Sequence, residues 1–306
     1  MKALRLSIIF SVILSVAVLF MFIPLSANEP VEVNNESGSE YNAGLSLYKQ
    51  GKYTLAIPHF QKAYKLDEKN TAALFAQGLT LNKLRKYNEA AEKFKMVLDK
   101  NPTHPKALKM YPTSLASAGK IKEALDAYDQ SITALPQDYY VLLGKARVFI
   151  KIEKFGEAIK LLEKAIKLDP KRPELYETMA FVYRKQEKFD DALLEYEKAL
   201  NLKPGAIRYL YLRAQTFADM GRMEDAGKAA MEVLKKNPNH AHARLIVADY
   251  MRLSNKPDEA LEEYAKASKN IETKAYAEYY IEVIKQKLEE IEIEKEYKTR
   301  QKKNHF

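Results

Sequence analysis

A chain of 306 residues with 47% apolar and 30% charged side chains has the material for a core and lacks the composition of a disordered polypeptide. Its 10 glycines and 12 prolines are too few for an all-β chain of many tight turns, while Ala, Leu, Lys and Glu dominate, which suits helices. Cysteine is absent, which excludes a disulfide framework, thiolate metal sites, a cysteine nucleophile and lipidation on an N-terminal cysteine; the formal charge is +9.

At the N-terminus, Lys2 and Arg5 precede residues 6–25, LSIIFSVILSVAVLFMFIPL, and no charge follows until Glu29. A basic start, an apolar run and the small pair Ser26-Ala27 fit an export signal cut near Ala27. The run is also long enough to span a bilayer, so an uncleaved anchor is the alternative. With the positive charge ahead of it, either reading places the remainder outside the cytoplasm, in the periplasm if the source is a double-membraned bacterium. Residues 28–36 read as a polar, acidic spacer.

From Ser37 the sequence repeats itself every 34 residues. FGEAIKLLEKAIKLDP (155–170) returns as FDDALLEYEKALNLKP (189–204). With Ser37 as position 1, position 20 holds Ala56, Ala90, Ala124, Ala158, Ala192, Ala226 and Ala260. Position 8 is small apart from Pro112. Position 24 holds Phe60, Phe94, Tyr128, Leu162, Tyr196, Ala230 and Tyr264, and position 32 is proline from Pro102 to Pro238. Apolar residues at helical spacing predict two amphipathic helices per repeat. Small residues at 8 and 20 let the two backbones approach, the bulky residue at 24 fills the space beside them, and proline at 32 ends the second helix. One such pair cannot bury its apolar face, so the repeats must stack.

This spacing of small residue, alanine, aromatic and proline resembles the tetratricopeptide repeat family over residues 37–272. The resemblance implies an all-α fold: a right-handed superhelical solenoid of seven helix-turn-helix units, at 37–70, 71–104, 105–138, 139–172, 173–206, 207–240 and 241–272. The family's tryptophan at position 4 is replaced by Leu74, Leu108, Leu142, Tyr176 and Leu210. Pro112 and Pro58 fall inside predicted helices, and Pro112 is expected to kink or shorten its own. Pro257 falls in a first turn, where proline is welcome. Ala230 replaces an aromatic, so the sixth repeat is expected to pack loosely. Residues 273–306 predict a capping helix, with Ala277, Tyr280, Ile281, Ile284, Leu288 and Ile291 at helical spacing, and a basic tail.

No phosphate loop, nucleophile elbow, zinc-protease helix or calcium loop is present, so no catalytic residue and no cofactor site is assigned. His240 and His242 form an H-x-H pair without an evident third ligand and read as surface histidines, so no metal site is assigned either. What remains is surface. In the family, first helices line a concave groove that ligands touch at positions 2, 5, 9, 12 and 13. Carried onto this sequence, the resemblance implies a partner-binding groove of Tyr41, Tyr48, Lys49, Phe75, Asn82, Lys83, Lys106, Lys109, Tyr140, Arg147, Lys151, Phe181, Arg184, Lys185, Arg208 and Tyr211. Such a groove is basic with aromatics between the charges, suited to carboxylates and apolar side chains. Positions 5 and 9 lack the lysine–asparagine clamp of the chaperone-tail adaptors, so that role is not expected.

The expected function is a non-catalytic scaffold of the cell envelope that holds a segment of a partner protein in the groove, for assembly or export of an envelope complex. The alternative is a binder of anionic polysaccharide or lipid headgroups. No nucleic acid is expected as a partner, residues 6–25 would contact the membrane if uncleaved, and the oligomeric state is open.

Overall fold

The computed structural model describes residues 35–303, and among them every regular element is an α-helix. The expected signal or anchor at residues 6–25 lies outside the described residues, as does most of the spacer. Among the described residues no helix is long and apolar enough to cross a membrane. The described residues divide into two compact units, one ending at Ile152 and the other beginning at Glu153. The N-terminal unit contains α1 (Asn35–Lys49), α2 (Tyr53–Leu66), α3 (Thr71–Lys83), α4 (Tyr87–Lys100), α5 (Pro105–Ser117), α6 (Ile121–Ala134) and α7 (Tyr139–Lys151). The C-terminal unit contains α8 (Phe155–Leu168), α9 (Pro173–Lys185), α10 (Phe189–Leu202), α11 (Ile207–Asp219), α12 (Met223–Lys236), α13 (Ala241–Leu253), α14 (Pro257–Ala267) and α15 (Lys274–Lys303). Within each unit every helix packs on the next in sequence, giving stacked hairpins.

The repeated letters are the core. All seven alanines at position 20 are fully buried, and so are Phe60, Phe94, Leu162, Tyr196, Ala230 and Tyr264 at position 24. Burying each such large side chain contributes roughly 1.5–3 kcal/mol. The close approach at position 8 is steric: a Cβ on Gly44 would stand 2.7 Å from the Phe60 ring, and one on Gly78 would stand 2.8 Å from the Phe94 ring. Where Ala230 replaces the aromatic, it is itself fully buried. Tyr250 of the following repeat lies against Gly227, three residues earlier on the same helix, where a Cβ would come within 2.4 Å of its ring.

Helices end where the prolines require. The helices α4, α6, α8, α10 and α12 each stop two residues before the proline at position 32. Pro257 occupies the first turn of α14. Of the two outcomes expected for Pro112, shortening does not occur: α5 has 13 residues, like α3 and α7. Proline still removes the N–H that the Leu108 carbonyl would accept from, and Leu108 and Pro112 are both buried. Ser131 of α6 donates its hydroxyl to that carbonyl at 2.7 Å, sharing its single proton with the Ala127 carbonyl at 2.8 Å. Ser131 is at position 27, where the other repeats carry Ala or Val. Pro58 needs no such repair, because it and Thr54, whose carbonyl it leaves without an N–H, are exposed to water.

Position 15 holds a left-handed residue in every repeat. Gly51, Gly119 and Gly221 have φ of 75°, 82° and 75°, and Arg85, Glu153, Glu187 and Asn255 have φ of 60°, 59°, 58° and 58°. The next N–H then reaches back to the first helix: Lys52 to the Leu47 carbonyl, Lys86 to Leu81, Lys188 to Tyr183, Arg222 to Phe217 and Lys256 to Met251, each at 2.9 Å. This satisfies a carbonyl that the helix end would orphan. The donor at position 16 is basic in all seven repeats, from Lys52 to Lys256. It lies at a helix N-terminus, where the dipole disfavours a cation. An acidic residue three positions on offsets that in Lys86–Glu89, Lys120–Glu123, Arg222–Asp225 and Lys256–Glu259.

Candidate partner-binding face

In the N-terminal unit the first helices α1, α3, α5 and α7 adjoin one another through side chains that span a whole repeat. Asn70 Nδ2 donates to Ser37 Oγ at 3.1 Å and Asn82 Nδ2 to Ser114 Oγ at 2.9 Å. Lys109 Nζ meets Asp138 at 2.5 Å, and Lys151 Nζ donates to the Ala116 carbonyl at 3.2 Å. Two residues expected in the open lining are corrected here. Phe75 is 7% exposed, with its ring against Phe94 and His104, and Asn82 is 4% exposed and tied to Ser114. Both hold neighbouring helices together. Tyr41 packs half-buried on Phe60, and Tyr48 on Tyr53. Lys109 lies 5.9 Å from the Tyr140 ring centroid. Burial pushes the Tyr140 and Tyr48 phenols up, so both stay neutral. Lys49, Lys83 and Lys151 are exposed, while Lys106 and Arg147 are half-buried.

Charge divides unevenly between the two units. At positions 2, 5, 9, 12 and 13 of its four first helices, the N-terminal unit carries Lys49, Lys83, Lys106, Lys109, Arg147 and Lys151 and no carboxylate. At the same positions the C-terminal unit carries Arg184, Lys185, Arg208 and Arg252 against Glu174, Glu177, Asp219 and Asp249.

Those C-terminal charges are paired across the stack. Arg208 meets Glu177 at 2.5 Å, linking α11 to α9. Arg184 reaches from α9 to α11, where it binds Asp219 and donates to Gln215 at 3.3 Å. The expectation of a basic groove is therefore corrected for the C-terminal unit: Arg184 and Arg208 are neutralised by carboxylates that stacking brings alongside. Phe181 is half-buried beneath Lys185, whose ammonium lies 5.6 Å from the ring centroid. Burial pushes the Tyr211 phenol up to about 12, and its ring packs 4.7 Å from His240.

His240 is an N-cap. Its Nδ1 accepts from the Ala243 N–H at 3.2 Å, and burial, followed by the neighbouring His242, lowers its pKa below the usual value. His104 caps α5 in the same way, accepting from Ala107 at 3.1 Å. Sequence reasoning missed both caps because histidine is not among the usual capping residues. Their place just before a first helix was the available signal. At the end of the C-terminal unit, Asp249 accepts from Tyr264 at 2.5 Å, Tyr276 at 2.9 Å and Arg252 at 3.2 Å, while Arg252 stacks over Tyr280. This network fastens α13, α14 and the expected cap α15 together.

Sequence comparison decides the family. Two profiles, each described as tetratricopeptide repeat, match residues 41–105 and 211–275, and residues 115–180 and 149–216. The chain belongs to the tetratricopeptide repeat family. No curated protein sequence is similar enough to match it. Among solved structures, a tetratricopeptide repeat protein from Parabacteroides merdae is 14% identical with a TM-score of 0.61, covering 82% of this chain and 99% of its own. The C-terminal part of a tetratricopeptide repeat protein from Cytophaga hutchinsonii is 17% identical with a TM-score of 0.59, over 76% of this chain and 97% of its own. PilW, a type IV pilus biogenesis factor, is 19% identical with a TM-score of 0.59, over 67% and 96%. At these identities the likeness shows the fold alone. Tetratricopeptide repeat proteins are generally non-catalytic scaffolds that bind partner proteins or peptides.

Proposed function

We propose that this chain is a non-catalytic scaffold outside the cytoplasm, which holds an acidic, aromatic-containing segment of a partner protein against the first-helix face of its N-terminal unit. One observation carries the reading: six cations, of which Lys109 is paired with Asp138, and no carboxylate at the positions that ligands touch in the family, against four and four in the other unit. A face of one sign recruits an opposite-sign segment and orients it, and the half-buried Tyr41, Tyr48 and Tyr140 supply apolar contact beside the charges. Residues 6–25 would deliver this domain across the membrane, as a signal or as an anchor, where it would serve assembly or export of an envelope complex.

The test is cross-linked capture of partners from the intact organism by the wild-type chain and by Lys49→Glu/Lys106→Glu/Lys151→Glu. The variant should lose the partner, while Lys185→Glu should keep it. Equal capture by both variants would overturn the assignment to the N-terminal unit. Binding of acidic polysaccharide or anionic vesicles that collapses between about 50 and 200 mM salt, with no protein captured, would favour the polyanion reading instead.

A further inference from the structure

The helix α15 has two halves with different surroundings. Its first half packs Ala277, Tyr280, Ile281, Ile284 and Leu288 onto the cluster of Ala248, Ala260 and Tyr264. From Glu289 to Lys302 every side chain is exposed. A helix of that length without tertiary contacts is marginal in water. The i,i+4 pairs Glu294–Lys298 and Glu296–Arg300 are themselves exposed and weak. Yet this half is not uniformly polar: Ile293 is 61% exposed and Tyr297 62% exposed, one turn apart on one face. Glu290 and Arg300 extend the same stripe at its two ends, giving the 3-4-3 spacing of a coiled-coil seam.

The order of charge says what covers that stripe. Glu289, Glu290, Glu292, Glu294 and Glu296, interrupted by Lys295, come first, and Lys298, Arg300 and Lys302 follow. A parallel copy of this helix would set acid on acid and base on base. An antiparallel copy with a two-fold axis at Lys295 sets Glu290 on Arg300 and Glu292 on Lys298 and brings Ile293 against Tyr297, twice each, with Glu294 facing Glu296 beside the axis as the one acidic mismatch. We infer that the exposed half of α15 is a self-association surface, which pairs antiparallel with the same helix of a second copy of this chain. The surface is small, so the dimer is weak and reversible.

Sedimentation of the full chain should show the weight-average mass rising from one copy towards two between about 1 and 200 µM. Glu290→Arg or Arg300→Glu alone should weaken association about tenfold or more, because each sets like charges together at both ends of the seam. The double swap Glu290→Arg/Arg300→Glu should restore it to within about twofold of the wild type. The native chain has no cysteine, so thiols report orientation directly. Mixed and oxidised with molecular oxygen and a copper catalyst, Ile293→Cys and Tyr297→Cys chains should form the mixed disulfide in preference to either homodisulfide. A mass independent of concentration, single swaps without effect, a double swap that fails to restore, or predominant homodisulfides would each overturn the proposal.

Discussion

The Ser131 hydroxyl donates to the Leu108 carbonyl, the acceptor that Pro112 deprives of its backbone N–H. Two departures from the repeat, in different helices, thus cancel. Ser131→Ala is expected to leave a buried carbonyl unsatisfied and to cost about 1–3 kcal/mol in denaturant unfolding of the N-terminal unit. In a Pro112→Ala background the N–H returns, and the same change should cost less than about 1 kcal/mol. Additive effects in this cycle would show that the serine does not serve the proline.

Glu187 holds φ of 58°, a backbone region that costs a non-glycine residue about 1–3 kcal/mol. Glu187→Gly relieves that strain but frees the unfolded chain, so the expected gain is about 0.5–1 kcal/mol. Gly221→Val, at φ of 75°, should move thermal stability the other way. Both are read from the melting temperature.

The pH dependence of the C-terminal unit should carry the mark of His240. Its folded pKa is depressed, so above the ordinary value of about 6.5 both states are neutral and the cap contributes fully. As pH falls through that value the unfolded chain takes up the proton first, and stability drops until the folded-state pKa is passed. His240→Asn keeps a capping acceptor without titrating. Melting followed from pH 8 to pH 5 should show a steeper fall in the wild type than in this variant.

Arg184, 13% exposed at its side chain, is held by Asp219. Asp219→Ala should therefore lower the stability of the C-terminal unit by about 1–3 kcal/mol. Removing Glu224, which pairs with Lys228 in full solvent, should change nothing measurable. Arg184 variants consequently report folding as well as binding.

The packing letters were legible because the same contact recurs every 34 residues: Ala90 and Ala192 meet one steric demand and answer it with one residue. Position 15 was not legible, since Gly51, Arg85, Glu187 and Asn255 share a backbone conformation and no side-chain chemistry. The pairings of the candidate site were hidden for another reason. Arg184 and Asp219, or Glu177 and Arg208, become neighbours only through stacking, and no local spacing in the sequence announces them. Phe75 and Asn82 sit at lining positions by number, yet packing draws them inward.

The left-handed turn at position 15 has a practical corollary. Within each unit the bends are closed by main-chain atoms, and the exposed tip is Gly in three hairpins and Arg, Glu or Asn in the others. The non-glycine tips are therefore the addresses on this molecule that tolerate rewriting. A fluorophore, an affinity tag or a grafted loop attached at residue 85, 187 or 255, where a side chain already stands at positive φ, would leave the crossing of the helices untouched.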